Sequence, residues 1–263
     1  MRWEWQRPFL VQKTPKMAYR FATQKEDYTD LSSGHVLYSK PGYPAFPVRL
    51  ISEIFQRCIA LRQRQNSHDP IKLYDPCCGS AYHLAVLGIL HRPQLATIIA
   101  SDIDAVAVNL ATRNLSLLTP AGLATRQKSI ARDWQQFGKP SHRLALSNVG
   151  ILAQRMAGYD ALPSRCFVAD ATKPNAIATA LTRKVDLVIS DVPYGQRSIW
   201  QGTAQQDDPI WHLLNELLPV LHFQSIVAIA ANKAQKAAHG AYQRNGRFRH
   251  GKRMITFLKP ISP

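Results

Sequence analysis

At 263 residues the chain has room for one large domain, or a domain with an appendage, rather than two full-sized ones. Hydrophobic residues make up 46% and charged residues 19%, which excludes wholesale disorder and fibrous repeats, and no run approaches the ~20 apolar residues of a membrane span. Lys plus Arg number 33 against 17 Asp plus Glu, a formal net charge of +16, so either a polyanionic partner or a generally basic surface is expected, and the size of the excess favours the partner.

Residues 1–33 read as an N-terminal extension, basic and aromatic, without the apolar stretch and cleavage site of a secretory signal. Residues 34–263 read as one domain. Pro41, Gly42, Pro44 and Pro47 exclude continuous helix and leave a structured loop. It feeds an amphipathic helix over 48–61, where Leu50, Ile51, Ile54, Phe55, Cys58 and Ile59 recur at helical spacing. Strands are then expected over 71–75, 96–102, 165–170, 184–191 and 225–231, with helices over 81–91 and 105–118. Strands alternating with helices predict an α/β fold, a mostly parallel, doubly wound sheet with helices on both faces. Residues 119–163 interrupt this rhythm with helical spacing on both sides of FGKPS. They read as an inserted helical hairpin of basic character (Arg126, Lys128, Arg132, Lys139, Arg143, Arg155), either a structural excursion or an RNA grip. The C-terminal GRFRHGKRMITFLK reads as a hairpin or edge strand.

After Glu216 there is no acidic residue, while Lys233, Lys236, Arg244, Arg247, Arg249, Lys252, Arg253 and Lys259 follow, the clearest electrostatic footprint in the chain. Cys58, Cys77, Cys78 and Cys166 lack CxxC spacing, and His35, His83, His91 and His212 lack a metal-binding partner spacing. A reduced, metal-free, cytoplasmic protein is expected, with the thiols as packed side chains.

The chemistry lies at the strand ends. Strand 71–75 runs into PCCGSA and a helix, which puts Asp75, Gly79 and Ser80 at the carboxyl edge, where open α/β sheets bind ligands. The loop alone is equally a tight turn or a cofactor site. Ala81 and His83 stand where a glycine series would seat a pyrophosphate, which disfavours a dinucleotide dehydrogenase. Asp102 follows the loop by about the twenty residues expected of a carboxylate that accepts ribose hydroxyls. Asp104 reads as the cap of the helix starting at Ala105. Asp170, at the third strand end, suits an exocyclic amine. Three such carboxylates favour a ligand with an amino group, a ribose and an adenine and no phosphate. The fourth strand ends in SDVPYG over 190–195. The lone pair of a planar base amine is delocalised. A carboxylate at Asp191 and carbonyls at Val192 and Pro193 would accept its hydrogens and turn the lone pair outward, while Tyr194 stacks on the base.

In that order DPCCGSA, ASDID, VAD and SDVPYG resemble the motifs of S-adenosylmethionine-dependent class I methyltransferases, the last being similar to their (Asp/Asn)-Pro-Pro-(Tyr/Phe) amino-methylating signature. More closely, VLYSKPGYPAFPVRLISEIFQR, LYDPCCGSAYHLAVLG, IIASDID, LLTPAGL, QQFGKPS and DVPYGQR resemble the AviRa-type family of avilamycin-resistance 23S rRNA guanine methyltransferases, over roughly residues 34–258. The resemblance implies a Rossmann-like class I methyltransferase fold and S-adenosyl-L-methionine as methyl donor. It also implies 23S rRNA or the large ribosomal subunit as partner, with orthosomycin resistance as a consequence. It assigns Asp75, Cys77, Gly79 and Ser80 to the methionine end of the cofactor, Asp102 to its ribose, Asp170 to its adenine, and Asp191, Val192, Pro193 and Tyr194 to the target base. The chain departs twice from the general pattern, with Ala81 for the second glycine of Gly-x-Gly and Val192 for the first proline. The expected RNA contacts are Lys40, Arg49, Arg197, Arg247, Arg249 and Arg253, and a monomer without metal is expected.

Cytosine-5 methylation needs a cysteine nucleophile that SDVPYG lacks. A tRNA or DNA amine methyltransferase and a catalytically silent RNA-binding protein on the same scaffold are the rival readings. Trp3, Trp5, Tyr38, Tyr43 and Phe46 either pack loops onto the core or stack on unpaired bases, with Lys40 and Arg49 favouring stacking near the last two.

Overall fold

The computed structural model describes residues 19–32, 34–193, 200–202 and 208–261. Its elements are α1 (Val48–Gln63), β1 (Ile71–Asp75), α2 (Tyr82–Leu90), β2 (Leu95–Asp102), α3 (Ala105–Ser116), α4 (Pro120–Phe137), α5 (Pro140–Met156), β3 (Ser164–Val168), α6 (Ala176–Ala180), β4 (Val185–Asp191), α7 (Pro209–Leu217), β5 (Leu221–Asn232), β6 (Tyr242–His250) and β7 (Arg253–Pro260). They form one sheet in the order β3-β2-β1-β4-β5-β7-β6. The first five strands run parallel, while β7 returns antiparallel to β5 and β6 antiparallel to β7.

This is the expected doubly wound architecture, and its physical cause shows in β5. Ile226, Ala228 and Ala230 join the core under α1 to α5, whereas Val227, Ile229 and Ala231 join the core under α6 and α7. A strand covered on both faces must be apolar at every position, hence the continuous run in the sequence. Helix α2 is buried at nearly every residue for the same reason. Sequence order reverses at β1, whose neighbours are β2 and β4, so the loops after β1 and β4 diverge and leave a crevice at the carboxyl edge.

The insertion is a helical hairpin, α4 and α5. Thr119 caps α4 by accepting the Gly122 N–H at 3.0 Å, Pro120 occupies the first turn, and Gly138 ends the helix at φ 59°. Two of its six basic residues work internally. Arg126 donates to the carbonyls of His35 and Val36 at 2.8 and 2.9 Å, and Arg155 pairs with Asp30 at 2.8 Å. Lys128, Arg132, Lys139 and Arg143 are exposed.

The expected boundary at residue 34 does not coincide with a break in packing. The N–H groups of Arg20, Phe21 and Ala22 each donate to the buried Glu53 carboxylate at 2.8 Å, and Leu31 is fully buried. Residues 20–22 are therefore fastened to α1, and residues 29–31 to α5 and α2 through Asp30–Arg155 and the Tyr82 hydroxyl on Leu31 O.

Candidate active site

The loops that follow β1 to β4, together with residues 40–46, line a cleft of about 1040 Å³ at the carboxyl edge. The sheet order sets the carboxylates along it, Asp170 after β3, Asp102 at the end of β2, the 76–81 loop after β1 and Asp191 at the end of β4.

The 76–81 loop is tightly built. Gly79 and Ala81 both adopt left-handed backbone, at φ 54° and 50°. Ala81 thus holds, with a side chain, the conformation in which the usual second glycine is unstrained. Cys77, Cys78, Gly79 and Ser80 line the cleft. Asp75 lies beneath them, fully buried, with Oδ1 accepting the Cys77 N–H at 2.9 Å and Oδ2 2.7 Å from His83 Nε2. It shapes the loop from below and does not line the cleft. Buried Asn114 of α3 ties this loop to the preceding segment, donating to Ser80 O at 2.9 Å and Tyr38 O at 3.1 Å while accepting the Tyr38 N–H at 2.8 Å.

Asp102 accepts the Gly79 N–H on Oδ2 at 2.8 Å and the Asp104 N–H on Oδ1 at 3.0 Å. Burial pushes its carboxyl above the ordinary range against the pull of these two bonds. Asp104 is the N-cap of α3, accepting the Val106 N–H at 2.8 Å, as its position predicts. It also accepts a short hydrogen bond from the Tyr43 hydroxyl, which pins the 40–46 loop across this end of the cleft. Burial, reinforced by that bond, pushes the Tyr43 phenol up to about 12. Asp170 accepts from the N–H and hydroxyl of Thr172 at 2.9 and 2.7 Å. Gly202 lies directly on it, since a Cβ there would fall 2.3 Å from Asp170 Oδ2 and 2.7 Å from Ile103 Cδ1.

At the other end, Asp191 is held by Arg253, whose Nε and Nη2 approach Oδ1 and Oδ2 at 3.3 Å each. The guanidinium lies 4.8 Å over the ring of Phe46, which in turn packs against His83. Burial pushes the Asp191 carboxyl up, while Arg253 and His83 draw it down. The Val192 N–H donates to Ala230 O at 3.0 Å, a sheet bond that the proline of the general motif lacks, and the Val192 side chain is buried. The Pro193 carbonyl accepts from Gln235 at 3.2 Å and keeps a second lone pair. Tyr194 lies outside the described residues, as does Arg197.

The expected RNA contacts divide. Lys40 lines the cleft. Arg49 donates to Ala22 O and Thr23 O at 2.8 Å and stacks 4.0 Å over Tyr19, so its guanidinium anchors the 19–32 segment instead of projecting from the surface. Arg247 and Arg249 are exposed on edge strand β6, with Arg249 also donating to Gly251 O. Arg253 belongs to the Asp191 site. All four cysteines are free; Cys58 and Cys78 are buried, Cys77 and Cys166 half-buried, and burial pushes the thiols of Cys58 and Cys77 up. Among the described residues no group of His, Cys, Asp or Glu could hold a metal ion, and no helix is long and apolar enough to cross a membrane.

The model of the rRNA methyltransferase AviRa family matches residues 17–253. The chain belongs to that family. The 23S rRNA (guanine(2535)-N(1))-methyltransferase of Streptomyces viridochromogenes is 44% identical over 214 residues, 81% of this chain and 84% of that protein. Two solved structures of the AviRa rRNA methyltransferase from the same organism match with TM-scores of 0.81 and 0.82 at 40% and 39% identity, each over 92% of this chain and 96% of that one. Membership accords with the fold. Sequence reasoning named Phe46 as either a packing or a stacking aromatic, and it packs into the core, but it missed Asn114, Gly202, the partnership of His83 with Asp75 and the inward place of Arg253. Asn114 alone left a signal, a polar residue in the apolar stripe of α3.

Proposed function

We propose that this chain transfers a methyl group from S-adenosylmethionine to ring nitrogen N1 of a guanine in 23S rRNA. The observation that carries the reading is the single cleft that has Asp102 and Asp170 toward one end and Asp191 at the other, in a chain 44% identical to a relative named for guanine N1 methylation. The donor set fits the cofactor. Asp102 keeps a lone pair on each oxygen for the two hydroxyls of a ribose, Asp170 suits the exocyclic amine of an adenine, and the 76–81 loop borders the amino-acid end. S-adenosylmethionine supplies an electrophilic methyl on a sulfonium.

The sequence alone pointed to an amine, and the relative's name moves the expectation to N1. The chemistry differs. N1 carries a hydrogen that must leave for its electron pair to attack, so Asp191 becomes the acceptor of that proton, and the Val192 and Pro193 carbonyls keep their place as acceptors beside it. Positioning of a flat base against the methyl contributes the rest of the rate.

The test is labelled methyl transfer to 23S rRNA, large ribosomal subunits and tRNA in parallel, with the product nucleoside identified by mass spectrometry. 1-Methylguanosine from 23S rRNA is expected, and Asp191→Ala is expected to lower turnover about 10²–10⁴-fold with cofactor binding retained. Label confined to tRNA would discard the ribosomal substrate, and no label would restore the silent binder.

A further inference from the structure

The cationic C-terminal stretch reads as a surface for phosphates, but one of its arginines faces inward. Strand β7 is antiparallel to β5, so its first residue lies at the edge where the parallel strands end. Arg253 pairs in register with Asn232, the last residue of β5, while Asp191 pairs with Ala230 on the other side of the same strand. The side chain crosses the end of β5 to reach Asp191. The two contacts at 3.3 Å set two guanidinium nitrogens, Nε and Nη2, on one carboxylate oxygen each, and the Phe46 ring, itself 4% exposed, supports the guanidinium. At this length the pair is looser than a tight charge-assisted bond of about 2.7–2.9 Å, and each oxygen keeps a lone pair for another donor.

We propose that Arg253 is a positioning residue of the methyl transfer, which aims the Asp191 carboxylate at the base and remains as the counter-charge of the site when the proton of guanine N1 moves to Asp191. The inference rests on the N1 reading above. In the transfer the N1–H bond breaks and its proton passes to Asp191. The released pair forms the N1–CH3 bond, the CH3–S bond breaks with its pair going to sulfur, and Asp191 returns the proton to water. Before the proton moves, the negative charge sits on the carboxylate; afterwards it is spread over N1 and O6 of the base. One fixed cation beside both locations offsets the charge throughout, without the reorganisation that water would need.

Among the described residues, the charged and titratable groups facing Asp191 are Arg253 from β7, His83 from α2 and Asp75 from β1. Arg253 opposes the upward push of burial on the Asp191 carboxyl, so its neutralisation leaves that carboxyl protonated to a higher pH. The acid limb of the rate profile then moves up. A purely structural arginine would lower the rate equally across pH, and no limb would move.

The experiment is the single-turnover rate of 1-methylguanosine formation on 23S rRNA from acid to neutral pH, for the wild type, Arg253→Gln and Arg253→Lys, with S-adenosylmethionine affinity measured by calorimetry. Arg253→Gln is expected to lose about 10²–10³-fold in rate, the scale seen when one preorganised charge-stabilising donor is removed, and to shift its acid limb upward. Arg253→Lys keeps the charge and recovers most of the rate with an unshifted limb, and cofactor affinity is unchanged in both. Wild-type behaviour in Arg253→Gln, or a uniform loss shared equally by the lysine variant, overturns the proposal. If Arg253→Gln fails to bind cofactor, Arg253→Met read in the same way decides. A wild type that makes a methylated nucleoside other than 1-methylguanosine overturns the N1 reading itself, whatever the variants do, and the proposal falls with it.

Discussion

Each oxygen of Asp102 already accepts one backbone N–H, from Gly79 and from Asp104, so the carboxylate is fixed in orientation and keeps one lone pair on each oxygen for the two hydroxyls of the proposed ribose. Removing it takes away the proposed ribose acceptor and leaves both backbone donors without their partner. Asp102→Ala is expected to weaken S-adenosylmethionine by about tenfold or more, given that a hydrogen bond to a charged group contributes ~1.5–3 kcal/mol. Equal affinity by calorimetry would exclude the ribose role. Asp102 and Asp191 were legible in sequence because each closes a strand, and Asp170 because it follows one by two residues; the strand direction then dictates the edge at which all three lie. His83 was not. It stands eight positions after Asp75 across a left-handed turn at Gly79 and Ala81, and only that turn brings Nε2 to within 2.7 Å of the carboxylate.

On edge strand β6 a bulge between Arg244 and Gly246 decides which side chains share a face. Arg244, Arg247 and Arg249 lie opposite Leu258, Thr256 and Met254, so all three point to one side of the sheet, whereas an unbroken register would put Arg244 on the other. All three are exposed. This row, without Arg253, is the part of the basic tail placed to meet phosphates. Replacing Arg244, Arg247 and Arg249 together by Gln is expected to flatten the dependence of log Kobs for rRNA on log salt by about 2–3, close to 0.7–0.9 for each phosphate no longer neutralised, with cofactor affinity untouched. An unchanged slope would exclude the row from the RNA interface. The α4–α5 hairpin was readable from its caps and FGKPS turn, but the inward tasks of Arg126 and Arg155 were not, since their partners Val36 and Asp30 are about ninety and 125 residues away.

Acid is expected to loosen the whole molecule in two stages. Burial lowers the His91 imidazole from 6.5 to about 4, beside Ser52 and the Phe55 ring. Between those values the unfolded chain binds a proton that the folded chain does not, so stability falls as pH drops from 6.5 toward 4, by on the order of 1–3 kcal/mol. Burial raises the Glu53 carboxyl, but three backbone N–H bonds and Arg57 outweigh it and leave the group below its ordinary 4.5. Its contribution is present above 4.5 and is lost as pH falls through the lowered value. Thermal melts should therefore show a falling midpoint from pH 6.5 downward, and His91→Gln should flatten the first stage; a variant as acid-sensitive as the wild type would refute the assignment. The alternating apolar runs, their order and the strand-end carboxylates were written in the chain, because burial on both faces of a parallel sheet imposes a pattern that local composition must carry. The pairing of Asp191 with Arg253, the docking of residues 20–22 on Glu53 and the common face of the β6 arginines were not. Each depends on strand direction, register or a long-range meeting of backbone and side chain, and those are set by how the elements pack rather than by what any one of them contains.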